Sequence, residues 1–207
     1  AFDDMQALGK RLQDLSDVGI NDVVFVGVPR TMADGEGPGV PPTEALSAFQ
    51  NQVPGRGVIL IPPRQDEKPR FEAKVNAGAN FALTQLLFSD YIGDYLKSLE
   101  LEDPKPEILL SFGYVPKSEQ RVGLINWLIR DETEQAQKEM ERVSEIAPLD
   151  FQDKKRELVD LYKRTIDKVH DSGFPIGIHF ECPYGFNGYA FETFREMLEY
   201  WSPNHDS

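Results

Sequence analysis

Five short apolar runs, at residues 22–28, 57–61, 81–88, 107–112 and 175–181, recur along the chain with amphipathic stretches between them. This alternation is the strongest constraint on the fold. A run of four to eight apolar residues bounded by Gly or Pro reads as a buried strand, whereas spacing at i, i+3, i+4 and i+7 reads as a helix. Met5, Leu8, Leu12, Leu15 and Val18 set the first helix, which Gly19 stops. Residues 43–49 and 70–77 follow as helices, and Tyr91, Tyr95, Leu96 and Leu99 mark another. Strict alternation lapses after the fourth strand. There, residues 118–129, 133–146 and 151–169 all read as helical, with Pro148 separating the last two, before the final strand and a closing helix at 190–201.

Strands that alternate with helices pair in parallel through right-handed crossovers, and the helices cover the sheet. An α/β fold is therefore expected. No repeat, linker or low-complexity run divides residues 1–207, so a single domain is expected too. Five βα units fall short of the eight strands and about 250 residues of a closed barrel. Two architectures fit the spacing: an open doubly wound sheet, and a barrel lacking its first units.

The 35 acidic against 22 basic residues leave a net charge of −13, which repels a nucleic-acid backbone and an anionic membrane surface alike. Neither is an expected partner. No stretch nears the roughly 18 apolar residues of a spanning helix. The single cysteine, Cys182, has no partner for an internal disulfide, which points to a reducing, cytoplasmic setting. His170, His179 and His205 show no ligand spacing, so no metal is expected. No G-x-S-x-G elbow marks a serine hydrolase. The acid-rich run 131–145 reads as a solvated helix face, with Glu134 and Lys138 at supportive spacing.

In either architecture the ligand lies beyond the carboxyl ends of the strands. On the last strand, alternation sets Ile176, Ile178 and Phe180 on one face and Gly177, His179 and Glu181 on the other. A helix layer takes the apolar face. That turns His179 and Glu181 inward, with Glu181 nearest the mouth, where a carboxylate can bind a polar ring or move protons; a buried polar pair satisfied by its neighbours explains the same spacing. Gln85 ends an apolar strand and offers a donor and an acceptor together, which suits the amide edge of a pterin or nicotinamide. A structural hydrogen bond is its plainer use. Phe112 also stands at a strand end, and Arg30 and Arg64 are placed to anchor an anion or to serve as solvated charges. The loop with Gly35, Gly37 and Gly39 lacks G-x-x-x-x-G-K-[ST] and carries Glu36, so residues 30–42 read as a mobile lid rather than a phosphate cradle. Phe186, Tyr189, Phe191, Phe194, Tyr200 and Trp201 read as core and helix packing.

The stretch KVNAGANFALTQLLF, residues 74–88, resembles the methylenetetrahydrofolate reductase family, whose barrels carry K-V-D-A-G-A-[ND]-x-x-x-T-Q-x-x-F at the sixth strand. Residues 21–26 look like that family's fourth strand, 59–63 its fifth, 107–116 its seventh and 178–180 its eighth, so the resemblance covers nearly the whole chain. It implies a TIM-type (β/α)8 barrel present as strands four to eight with their helices. About three N-terminal βα units, with the family's glutamate proton donor, would lie upstream of Ala1. The resemblance further implies reduction of 5,10-methylenetetrahydrofolate to 5-methyltetrahydrofolate by hydride from NADH or NADPH, serving methionine synthesis. Gln85 would contact folate and nicotinamide. Glu181 is the acidic candidate within the chain, and Arg30, Arg64, Lys74, Phe112 and His179 are the further candidates for holding substrate or cofactor. Two departures bear on FAD. Val28 and Pro29 stand where the family has Gly-Asp, and the basic pair that holds FAD is reduced to Ala73 and Lys74. With VGVPRTMADGEG and SFGYVPK, these departures resemble a flavin-independent branch. A tetrahydrofolate-dependent methyltransferase or demethylase, and a non-catalytic ligand-binding barrel, are the alternative readings.

Overall fold

The computed structural model describes residues 4–27, 39–183 and 185–203. Five strands, β1 (Asp22–Phe25), β2 (Gly55–Leu60), β3 (Phe81–Thr84), β4 (Glu107–Gly113) and β5 (Ile176–Glu181), form one parallel sheet in the order β1-β2-β3-β4-β5. That order separates the two expected architectures. A doubly wound sheet has a point where the strand order turns back, and none occurs among the described strands. Right-handed crossovers that always step the same way put their helices on one face. The sheet has the order of consecutive barrel strands, and the five described strands do not close.

The helices are α1 (Met5–Asp17), α2 (Pro42–Ala48), α3 (Glu67–Asn76), α4 (Tyr91–Ser98), α5 (Glu119–Ile129), α6 (Glu134–Ile146), α7 (Phe151–Val169) and α8 (Gly188–Tyr200). Four begin at side-chain caps: Asp4, Thr133, Asp150 and Asn187 accept from the backbone N–H three residues on, which satisfies donors that the first turn leaves free. None of the described helices is long and apolar enough to cross a membrane.

Register gives the two faces of the sheet different characters. Phe25, Val58, Ala82 and Ile108 align across the strands and are buried, as are Leu60, Leu110 and Phe112. This is the helix side. On the other face Ile59, Leu83 and Leu109 align and are half-buried. Large residues there rest on small ones. A Cβ at Gly57 would meet the Phe81 ring at 2.3 Å, and one at Gly177 would meet Leu109 at 2.4 Å.

Two strands are shorter than the sequence suggests. The third, expected over 81–88, ends at Thr84, where the Ser111 N–H turns to the threonine hydroxyl at 2.8 Å. Beyond it Leu86, Leu87 and Phe88 are all buried in succession, a pattern that a strand with one half-open face does not give. The first, expected to reach Val28, leaves the ladder after Phe25. Val28, Pro29, Arg30 and most of the expected lid lie outside the described residues.

Candidate active site

On the face away from the helices, register sets Ser111 beside His179 and Gly113 beside Glu181. The Ser111 hydroxyl is 3.1 Å from Nδ1 of the half-buried His179, and Ser111 itself is fully buried. Because a hydroxyl can donate or accept, it holds the ring in either tautomer. A Cβ at Gly113 would stand 2.6 Å from Leu86 and 3.1 Å from the Glu181 carbonyl oxygen. Glycine therefore lets β4 and β5 close up where Glu181, half-buried, ends its strand. Phe112 and Phe180 point the other way. Phe112 lies 4.8 Å from the Tyr162 ring of α7, and Phe180 stacks on Phe194 of α8 at 4.3 Å. The structure thus brings His179 and Glu181 to one surface and puts Phe112 in the helix layer.

Gln85 follows β3, and its backbone N–H donates to the Leu60 carbonyl at 2.7 Å. Its side-chain Nε2 donates to the Leu128 carbonyl of α5 at 3.0 Å. Two further bonds secure the same seating: the Gln65 N–H donates to Asp131 Oδ1 at 3.4 Å, and the Thr133 hydroxyl donates to the Pro63 carbonyl. The end of α5 and the turn into α6 therefore sit over the carboxyl ends of β2 and β3. The face α5 turns inward carries Ile125 and Ile129, both buried, with Val122 and Asn126 partly buried beside them.

Arg64 and Lys74 meet elsewhere, around the buried Glu67 of α3. Lys74 Nζ donates to the Ile59 carbonyl at 2.8 Å and to Glu67 Oε1 at 3.3 Å, while Arg64 Nη1 is 3.9 Å from Glu67 Oε2. Burial lowers the Lys74 pKa, and Glu67 opposes that shift. Both side chains of this pair serve the junction of α3 with β2. Gly78, at φ +108°, then turns the chain from α3 into β3.

Lys154 carries no motif, yet among the described residues its ammonium is fully enclosed close to the end of β4. The residue is 0% accessible, and Nζ donates to the Val115 carbonyl at 2.8 Å and the Ala147 carbonyl at 2.9 Å. Burial, with help from the nearby Lys117 charge, lowers its pKa to about 8. Ala147 caps the carboxyl end of α6, where the helix dipole favours a cation. The available signal was position, for Lys154 lies on the same stripe as Leu158, Leu161, Tyr162 and Thr165. Glu139 corrects the reading of 131–145 as solvated throughout. It is buried, accepts from the Ser89 hydroxyl at 2.6 Å, and has its pKa raised by burial against the pull of Ser89 and Gln135.

The aromatic end is also less enclosed than expected. Phe194 is buried, but Phe186, Tyr189 and Phe191 are each half exposed or more. Phe186 stacks on Phe191 at 5.3 Å, and Tyr189 lies 4.4 Å from Phe151. Among the described residues no group of three or more His, Cys, Asp or Glu is placed to hold a metal ion.

A family model described as mycobacterial methylenetetrahydrofolate reductase matches residues 1–205. No curated protein matches the chain.

Proposed function

The chain belongs to the methylenetetrahydrofolate reductase family, and from that premise we propose that it reduces 5,10-methylenetetrahydrofolate to 5-methyltetrahydrofolate with hydride taken directly from NADH or NADPH. The observation that carries this reading is the family match over residues 1–205, which includes Gln85, Ser111, His179 and Glu181. One proton and one hydride balance the reaction. Protonation at N10 breaks the bond from N10 to the methylene carbon and opens the five-membered ring to an iminium at N5, and hydride from the nicotinamide C4 then makes the N5-methyl group and leaves NAD(P)+. The protein's task is to hold the two rings at about 3–3.5 Å and keep water away. Gln85 supplies an amide to read a pterin or nicotinamide edge. Glu181 is the acidic candidate at the carboxyl end of β5, with the His179–Ser111 pair beside it.

On this reading no flavin intervenes, and two features of the chain support it. A flavin diphosphate calls for cations turned towards it. On α3, Ala73 offers none, and the Lys74 ammonium is taken up by the Ile59 carbonyl and Glu67. In the sequence, Pro29 stands where the family has an aspartate, and a proline has no backbone donor to give an isoalloxazine ring. Initial-rate kinetics on the purified protein, with methylenetetrahydrofolate and NADH or NADPH both varied, tests the reading. Intersecting lines from a colourless protein are expected. Stoichiometric FAD or parallel lines would refute the flavin-free route, and no methyltetrahydrofolate with either donor would refute the activity.

A further inference from the structure

The inward face of α5 contains a polar residue where its pattern calls for an apolar one. Val122, Ile125, Asn126 and Ile129 stand at i, i+3, i+4 and i+7, the stripe that a surface helix turns to the body. Within that stripe Oδ1 of Asn126 is buried and has no hydrogen-bond partner among the described residues. Leaving a buried acceptor unpaired is costly, whereas leucine in its place would cost nothing of the kind. An asparagine kept at such a position needs a partner from elsewhere.

Its location indicates which. Leu128, two residues on and within one turn, accepts from Gln85 Nε2 at 3.0 Å. The two amides therefore belong to one neighbourhood, Gln85 on the floor at the end of β3 and Asn126 on the underside of the helix that covers it. We propose that Asn126 is a ligand-reading residue, and that its amide and that of Gln85 together recognise a ring edge carrying an N–H beside a carbonyl. Both substrates of the proposed reaction offer that chemistry, the pterin as a ring lactam and the nicotinamide as a carboxamide, so this inference rests on that reading. An amide pair suits such an edge because each partner donates and accepts. A ligand reaches Asn126 when α5 parts from β3, and the Gln85–Leu128 bond is the tether that opens. Gln85 then exchanges a backbone carbonyl for the ligand, and Asn126 gains the partner it lacks.

The test compares Asn126→Leu, Asn126→Ala and the unaltered protein. Melting temperature is measured for each, together with equilibrium binding of 5-methyltetrahydrofolate and, in a separate arm, of NADH. The leucine variant is expected to melt no lower than the unaltered protein while binding one of the two ligands about tenfold more weakly, the order of one lost hydrogen bond to a partner left unpaired. The alanine variant, which adds no bulk, should weaken the same arm, and the arm affected identifies the edge being read. Unchanged binding of both ligands in both variants would overturn the inference while leaving the proposed activity standing. A lower melting temperature with binding intact would make Asn126 a packing residue and overturn it as well. Failure of the unaltered protein to bind either ligand would overturn this inference and the proposed function together.

Discussion

Replacing Lys154 by methionine removes a buried charge and two hydrogen bonds at once, and the two effects have opposite signs. The carbonyls of Val115 and Ala147 lose their donor, at about 1–3 kcal/mol for each one left unsatisfied. Against this, the native structure holds the Lys154 proton less tightly than the unfolded chain does, since its pKa falls from 10.5 to about 8. A group shifted in that direction costs stability where it is charged in both states, below pH 8. That cost is relieved as pH rises from the native value towards the unfolded one, because the unfolded chain then binds more protons. Linkage puts the gain between pH 7 and pH 10 at roughly 2.5 kcal/mol. Near pH 7 the lost bonds and the removed charge offset each other, so Lys154→Met is expected to lie within about 2 kcal/mol of the unaltered protein. At pH 10 the neutral amine still donates both bonds, and the variant should fall behind by that further amount. Urea denaturation of both proteins at the two pH values measures the difference. A gap that does not change with pH would refute the assignment of a desolvated ammonium at this site.

Gln85→Ala removes the bond to the Leu128 carbonyl and should lower stability by about 0.5–1.5 kcal/mol. Under the proposed reaction it also raises KM, and unchanged initial-rate kinetics would remove Gln85 from the binding surface. Gly57→Ala places a Cβ 2.3 Å from the Phe81 ring, an overpacking expected to cost about 1–3 kcal/mol. Thermal melting should register this as a drop of about 2–4 °C per kcal/mol, and an unaltered midpoint would contradict the close packing on that face.

The elements were legible because their hydrophobic periods are strong. The resemblance carried by residues 74–88 agrees with the family match over the chain. Alternation along β5 separated His179 and Glu181 from Phe180, and the neighbours Ser111 and Gly113 follow from the register of β4. The limits are equally physical. The seating of α5 depends on the Leu128 carbonyl and the Gln65 N–H, backbone groups that every residue carries and no side-chain pattern marks. Lys74 could be recognised as a cation near the right strand, but its acceptor, the Ile59 carbonyl, is fixed only by how α3 lies on β2. Glu139 was hidden by its acidic neighbours. Its spacing with Ala136, Val143 and Ile146 marks the buried face of α6, and the charge run masked that stripe.

The sheet's topology also sets a schedule. Among the described residues, one helix lies in each of the three connections that join β1 to β4, whereas β4 and β5 are joined by α5, α6 and α7 in succession. The entropy of closing a loop grows with the logarithm of its length, so the β4–β5 ladder costs the most chain freedom of any in the sheet. Refolding should therefore assemble β1 to β4 before β5 docks, and pulse-labelled hydrogen exchange would find the amides of β5 the last to be protected. Until that step the chain holds Gln85 and Ser111 in place with neither His179 nor Glu181 beside them, and the polar surface at the rim comes into being only when the fold is complete.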